Sequence, residues 1–331
     1  MLSAAAVNDF AVLCRACMTT SSTPQHLSAN FRTIDKSALG LVESSLRGNY
    51  FTRFPDGYLE TDWGRNDLEN HLSRRLEADR QRIVPWLDAA RSLQDASILE
   101  IGCGTGGSTV ALAEQGAAVT AIDVDVNSLA VASERCRAYG LEVSFAHANA
   151  TEVHELFAGR RFDYIIFYAA LEHMTMDERL SAMSTTWEML PPGALWCVID
   201  TPNRLWYYDA HTSLLPFHMW LPDELAFAYS RFSPRDNYRE RYREYTDEAK
   251  LDFLRRGRGV SFHEFELAMK PLDGLRIKSS LRLMNEPSGS SDCRKWRRSN
   301  DYRYMSLLRH IAPDVHEGFL QSSLYLIIEK D

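Results

Sequence analysis

Between residues 97 and 200 the chain alternates short apolar runs with amphipathic stretches of helical length. Residues 97–101, 118–123, 141–146, 162–167 and 194–200 are rich in aliphatic and aromatic side chains and read as buried strands. The stretches between them predict helices over about 106–115, 126–139 and 176–190. The first two stop at Gly116 and Gly140, residues suited to the left-handed position that ends a helix. The third runs into the turn Pro191-Pro192-Gly193. Nearly unbroken apolar strands alternating with helices predict a parallel sheet covered on both faces.

The pattern differs on either side. Residues 50–64 crowd together aromatic and turn-forming side chains, Tyr50, Phe51, Phe54, Pro55, Gly57, Tyr58, Trp63 and Gly64 among them. Asn66 and Glu69 have capping-box spacing. Leu68, Leu72, Leu76, Ile83 and Leu87 then keep to one face, which predicts a helix from about residue 66 that Pro85 kinks or divides. This segment is expected to pack beside the sheet and cover its ligand. After Asp200 the alternation stops for about 70 residues, which contain Pro202, Pro216, Pro222, Pro234, many aromatics and several predicted helices. Residues 275–281 predict a sixth strand and 323–329 a last one. The expected fold is α/β: a doubly wound, Rossmann-like, seven-stranded, mainly parallel sheet. It has a helical N-terminal extension and a helical insertion after strand five. The expected division is a mobile segment at 1–30, a helical extension or cap at 31–95 and a ligand-binding core at 96–200. An acceptor-binding insertion or lid follows at 201–270, and C-terminal strands with a basic loop complete the sheet at 271–331.

Charge narrows the function classes. A net charge of −8 and a pI near 5.7 argue against a dedicated nucleic-acid binder. No apolar run approaches the roughly 18 residues of a membrane span. The six cysteines are scattered, which fits a reducing compartment, and a cytoplasmic protein is expected. Cys14 and Cys17 form a lone C-x-x-C without the second pair that a metal site needs, so they read as one face of a short helix.

The clearest chemistry is in residues 98–108, a strand that runs through the turn Gly102-Cys103-Gly104-Thr105-Gly106-Gly107 into a helix. The glycines permit a tight turn and leave no Cβ in the way of a ligand. The amides that start the helix point back at that ligand. Two ligand classes fit. Gly102, Gly104 and Gly107 satisfy G-x-G-x-x-G, with Asp123 placed to bind a ribose, as a dinucleotide would require. Counted from Glu100, however, Gly102, Gly104 and Gly106 satisfy E-x-G-x-G-x-G. That second version resembles the first motif of class I S-adenosylmethionine-dependent methyltransferases. The resemblance extends over 97–200 through Ala121-Ile122-Asp123, Ala148-Asn149-Ala150, Phe162-Asp163-Tyr164-Ile165-Ile166 and Leu190-Pro191-Pro192-Gly193-Ala194. Leu171-Glu172-His173-Met174 and Thr201-Pro202-Asn203-Arg204 are similar to its small-molecule O-methyltransferase branch.

The resemblance implies S-adenosyl-L-methionine as cofactor and S-adenosyl-L-homocysteine as product. It assigns Gly102, Cys103, Gly104 and Gly106 to the loop around the methionine and ribose. Glu100 would bind the cofactor's amino group, or else hold the turn as a buried acid. Asp123 would take both ribose hydroxyls, and Val124 the adenine face. Asn149, where the family often has Asp, would accept from the adenine amino group with Ala150 beside it. Tyr168 would face the methionine end.

The acceptor is less defined. The chain lacks the Asn/Asp-Pro-Pro-Tyr motif that serves amino-group methylation of nucleic-acid bases, and carries Phe167-Tyr168-Ala169-Ala170-Leu171-Glu172-His173 instead. A hydroxyl or carboxyl of a small metabolite, sugar or lipid-like precursor is therefore expected as acceptor. A hydroxyl needs a base, and His173, His211 and His218 are the candidates, since both loops that carry them leave the carboxyl ends of strands. Some quinone-biosynthesis O-methyltransferases in this branch carry Glu-x-x-Glu-His and bind a divalent cation. Here Ala169 replaces the first acid, and Glu172 with His173 alone are too few ligands; Asp200, Asp209 or His211 would have to complete a set, and no metal is expected. Two other readings remain. One is a protein or RNA methyltransferase using the basic and aromatic segment at 294–304, and the other is a cofactor-binding scaffold without turnover.

Overall fold

The computed structural model describes residues 30–285 and 298–331. The Cys14–Cys17 pair, the expected mobile segment before residue 30 and the basic run up to residue 297 lie outside the described residues.

Seven strands form one sheet: β1 Ser97–Ile101, β2 Ala118–Asp123, β3 Ser144–His147, β4 Tyr164–Tyr168, β5 Leu195–Pro202, β6 Arg276–Ser280 and β7 Ser323–Glu329. Their order is β3-β2-β1-β4-β5-β7-β6, and only β7 runs antiparallel to its neighbours. The order reverses between β1 and β4, the place where a doubly wound sheet opens a crevice beyond its strand ends. Successive residues point to opposite faces. Leu99, Ile101, Ile165, Phe167, Trp196 and Val198 pack one side, with Met183, Trp187 and Phe265. Ile98, Tyr164, Ile166, Leu195 and Cys197 pack the other, with Leu76, Ile83, Leu87 and Val110.

β1, β2 and β7 occupy the residues expected from the pattern. β3 begins three residues later than expected. Gly140, at φ +63°, ends the helix Val126–Ala138, and the amides of Gly140 and Leu141 bond back to Arg137 and Cys136. This Schellman arrangement absorbs the residues that looked like the start of a strand.

The N-terminal extension is a nearly continuous helical rod from Asp62 to Ala90, in which two π-helical stretches, Asn70–Arg74 and Asp79–Ile83, interrupt the α-helix. It starts before residue 66, because Thr61 caps it by accepting from the Gly64 amide. Asn66 lies inside the helix and accepts from Arg74 instead of capping. Pro85 lies at the start of the α-helical piece Val84–Ala90, which directly follows the π-helical stretch Asp79–Ile83, so the rod changes its hydrogen-bond pattern at the proline and continues past it.

Two buried arginines fasten this rod to the core. Arg80 makes two bonds of 2.8 Å to the Glu114 carboxylate. Arg135 donates to the carbonyls of Thr105, His71 and Leu72, tying the glycine turn to the rod. The insertion after β5 builds its own small core from Phe227, Tyr238, Tyr242 and Phe253. No helix among the described residues is long and apolar enough to cross a membrane.

Candidate active site

A cleft of about 760 Å³ opens beyond the carboxyl ends of β1, β2, β4 and β5. Its walls come from three parts of the chain: the rod (Arg75, Asp79), the strand ends, and the insertion (His211, Arg255).

At one end the glycine turn follows β1. Gly102 has φ +84°, and a Cβ there would lie 2.7 Å from the Ala170 side chain, so no other residue fits. Gly104 has φ +50° with open space where a Cβ would be, and that space belongs to the cleft. Asp123, at the end of β2, accepts from the Gly104 amide at 2.8 Å and the Asp125 amide at 2.9 Å. Burial raises its carboxyl pKa while these amides pull the other way. Each of its oxygens keeps acceptor capacity toward the cleft. Cys103, Val124, Asn149, Ala150 and Tyr168 also line the cleft. Asn149 additionally caps the short helix Ala150–Glu152, so its carbonyl oxygen is shared with the Thr151 amide.

Two residues expected to touch the ligand stand behind it. Glu100 is fully buried and does not line the cleft; its oxygens accept from the hydroxyls of Ser108 and Thr109 at the start of the next helix. This is the second of its two expected roles, a buried acid holding the turn. Burial raises its pKa to about 6, against the pull of those hydroxyls. Gly106, at φ +80°, packs on Ala132, 2.8 Å from where its Cβ would be.

At the other end the strand termini bend. Ala169 and Asp200 both have positive φ, at +44° and +56°, in positions where no glycine relieves the cost. Such backbone strain is held in place by the surrounding fold and gathers at functional sites. Tyr168 donates to Asp79 at 2.5 Å, and Tyr325 donates to Asp200 at 2.8 Å. Burial raises the Asp79 pKa to about 7, opposed by the Tyr168 hydroxyl and reinforced by Glu100.

Of the three candidate bases, the fold brings two to the cleft. His173 and His211 line it, with ring centroids 5.8 Å apart. Behind them Glu172 is fully buried, its Oε1 atom 3.9 Å from Nε2 of each histidine. Burial raises the Glu172 pKa, and burial lowers that of His211. His218 is enclosed by the aromatic rings of the insertion, beside Asp209 and away from the cleft, and burial lowers its pKa to about 4. Phe217, just before it, has φ +58° and caps the short helix His218–Trp220.

Arg75, Asp79 and Tyr325 were not anticipated. Asp79 carried a signal: it stands three residues after Leu76 and four before Ile83, a carboxylate within an apolar stripe.

Comparison with known proteins agrees with this geometry. Residues 98–193 match the family described as a methyltransferase domain. The ubiquinone biosynthesis O-methyltransferase of Rhizobium etli is 33% identical over 116 residues, 35% of this chain and 45% of that one. Its namesake in Ruegeria pomeroyi is 32% identical over 135 residues, 41% and 51% of the two chains. The chain spans about half the length of the curated relatives it matches. Among solved structures, the plantazolicin methyltransferase BamL, in complex with a desmethyl analogue and S-adenosylhomocysteine, is 15% identical. It aligns over 89% of this chain and 97% of that one, with a TM-score of 0.46.

Proposed function

We propose that this chain, whose residues 98–193 are a methyltransferase domain of the class I S-adenosylmethionine-dependent type, methylates a hydroxyl oxygen of a small molecule. The observation that carries the reading is the continuity of the cleft. It runs from Asp123 and Gly104, the groups suited to ribose and methionine, to His173 and His211. A sulfonium bound at the first end presents its methyl group to an acceptor held at the second. The acceptor oxygen attacks the methyl carbon as the carbon–sulfur bond breaks in line, and S-adenosylhomocysteine leaves with the electron pair. The fold supplies alignment, which converts a bimolecular encounter into a reaction within one complex. The hydroxyl proton goes to His173 or His211, each of which offers an Nε2 atom to the cleft. The 32–33% identity to O-methyltransferases over the matched segment supports oxygen as the acceptor atom.

Calorimetry with S-adenosylhomocysteine, followed by turnover with S-adenosylmethionine and a panel of hydroxylated metabolites, tests this reading. Binding with transfer to oxygen is expected, and Asp123→Ala should lose at least tenfold in cofactor affinity while keeping the unfolding transition of the parent. Binding of NAD in place of S-adenosylhomocysteine would overturn the reading. Cofactor binding without transfer to any acceptor would instead favour the scaffold.

A further inference from the structure

We infer that Asp79, on the helical rod, binds the ammonium group of the cofactor's methionine part. This rests on the methyl-transfer reading, since it names the residue that holds one end of that cofactor. The family resemblance assigns the task to Glu100, and the structure takes Glu100 out of reach. Both of its oxygens are engaged by the hydroxyls of Ser108 and Thr109, and it does not line the cleft. An ammonium that leaves water for a cleft needs acceptors and a counter-charge there, so another acid must supply them.

Asp79 stands where that acid is needed. It lines the cleft from the rod and is only 4% exposed. Its Oδ2 atom is 3.7 Å from the position that a Cβ on Gly107 would take, so the carboxyl lies against the start of the helix that follows the glycine turn. Oδ1 accepts from the Tyr168 hydroxyl at 2.5 Å, whereas Oδ2 has no hydrogen-bond partner among the described residues. The Tyr168 bond joins the rod to the end of β4 and holds the carboxyl in one orientation. A nearly buried carboxyl with one oxygen satisfied and the other free on a cleft wall carries a desolvation cost that a positively charged donor removes.

The surrounding charges point the same way. Those that face Asp79 are Arg75 one turn earlier on the rod, Glu100 on β1, Tyr168 on β4 and Asp200 on β5. Three carboxyls share this region with one guanidinium. Burial, reinforced by Glu100 and Asp200 against the pull of Tyr168 and Arg75, raises the Asp79 pKa to about 7. An ammonium beside it favours the charged carboxylate and drives the proton off. Near pH 7 cofactor binding is therefore coupled to proton release.

Two ligands and one substitution test the assignment. S-adenosylhomocysteine carries the ammonium, whereas 4-(5′-deoxyadenosin-5′-ylthio)butanoic acid lacks it and keeps the rest. Asp79→Asn keeps an acceptor for the Tyr168 hydroxyl and loses the charge, and its urea unfolding transition reports that it folds. By calorimetry at pH 7, the parent should bind S-adenosylhomocysteine at least about tenfold more tightly than the deaminated analogue, and D79N should bind the two within about threefold of each other. Compared between phosphate and Tris, buffers of different ionisation enthalpy, S-adenosylhomocysteine binding should release a fraction of a proton from the parent and less from D79N. S-adenosylmethionine should lose no more affinity from the substitution than S-adenosylhomocysteine does. Additive effects of the substitution and the analogue would place the ammonium elsewhere and overturn the assignment. A loss confined to S-adenosylmethionine would overturn it too, because Asp79 would then face the sulfonium. Either result leaves the methyl-transfer reading standing, whereas a parent that binds neither S-adenosylhomocysteine nor S-adenosylmethionine would sink both.

Discussion

Asp79 shows how one residue's environment can be tested apart from catalysis. It is buried against Tyr168, and its pKa rises from 3.8 in the unfolded chain to about 7. Burial penalises the charged form, so the folded state keeps the proton that the unfolded state releases. The sign follows from linkage. Below about pH 4 both states hold the proton, and the carboxyl does not weaken the fold. As pH rises from about 4 to 7 only the unfolded state ionises, and stability is lost. Above about 7 the folded state ionises too, and the loss levels off. The slope is at most about 1.4 kcal/mol per pH unit. Asp79→Asn keeps an acceptor for the Tyr168 hydroxyl and does not titrate. Urea unfolding at pH 4 and pH 7 should therefore show the variant gaining on the parent by at least about 1 kcal/mol as pH rises. An equal difference at both pH values would mean that Asp79 ionises at its ordinary pKa in the folded chain.

At the scale of elements, the attachment of the helical rod decides whether the cleft has a wall. Arg80, on the rod, pairs with Glu114 at the end of the helix Gly107–Ala113, and their side chains are 7% and 0% exposed. Breaking a buried pair leaves an uncompensated charge and costs about 3–5 kcal/mol. Arg80→Ala should lower the urea midpoint accordingly, and Arg80→Met combined with Glu114→Leu should recover most of the loss. A change under about 1 kcal/mol in the single variant would mean that solvent reaches Glu114.

Elements also show what could be read beforehand. The strand runs and glycine turn were legible because their signals are local: a run of β-formers between breakers, and glycines where only glycine fits. The rod's start was misread because Asn66 and Glu69 have the right spacing, whereas Thr61 and Gly64 make the bond. At the site, local spacing pointed to Asp123 and the turn. It could not separate His211 from His218, seven residues apart in one proline-containing loop, because only the folded insertion turns one toward the cleft and the other into its core. Asp79 and Arg75 reach the site by the packing of the rod on one face of the sheet, a relation of residues far apart in sequence.

At the scale of the molecule, three segments far apart in sequence close on one cleft, so a ligand there must couple them. The rod contributes Arg75 and Asp79, the sheet contributes its strand ends, and the insertion contributes His211 and Arg255. The insertion has an apolar core of its own, which allows it to open without unfolding the sheet, whereas Leu76, Ile83 and Leu87 of the rod are part of the sheet's core. A ligand that touches all three stabilises the closed arrangement by about 2.7 kcal/mol when present at 100 times its dissociation constant. Amide hydrogen exchange with saturating S-adenosylhomocysteine should therefore slow in three places: the glycine turn, the rod around 75–83 and the insertion around 204–258. Slowing confined to the glycine turn would show that the cofactor leaves the walls free to move. The acceptor, rather than the cofactor, would then be the ligand that closes the site.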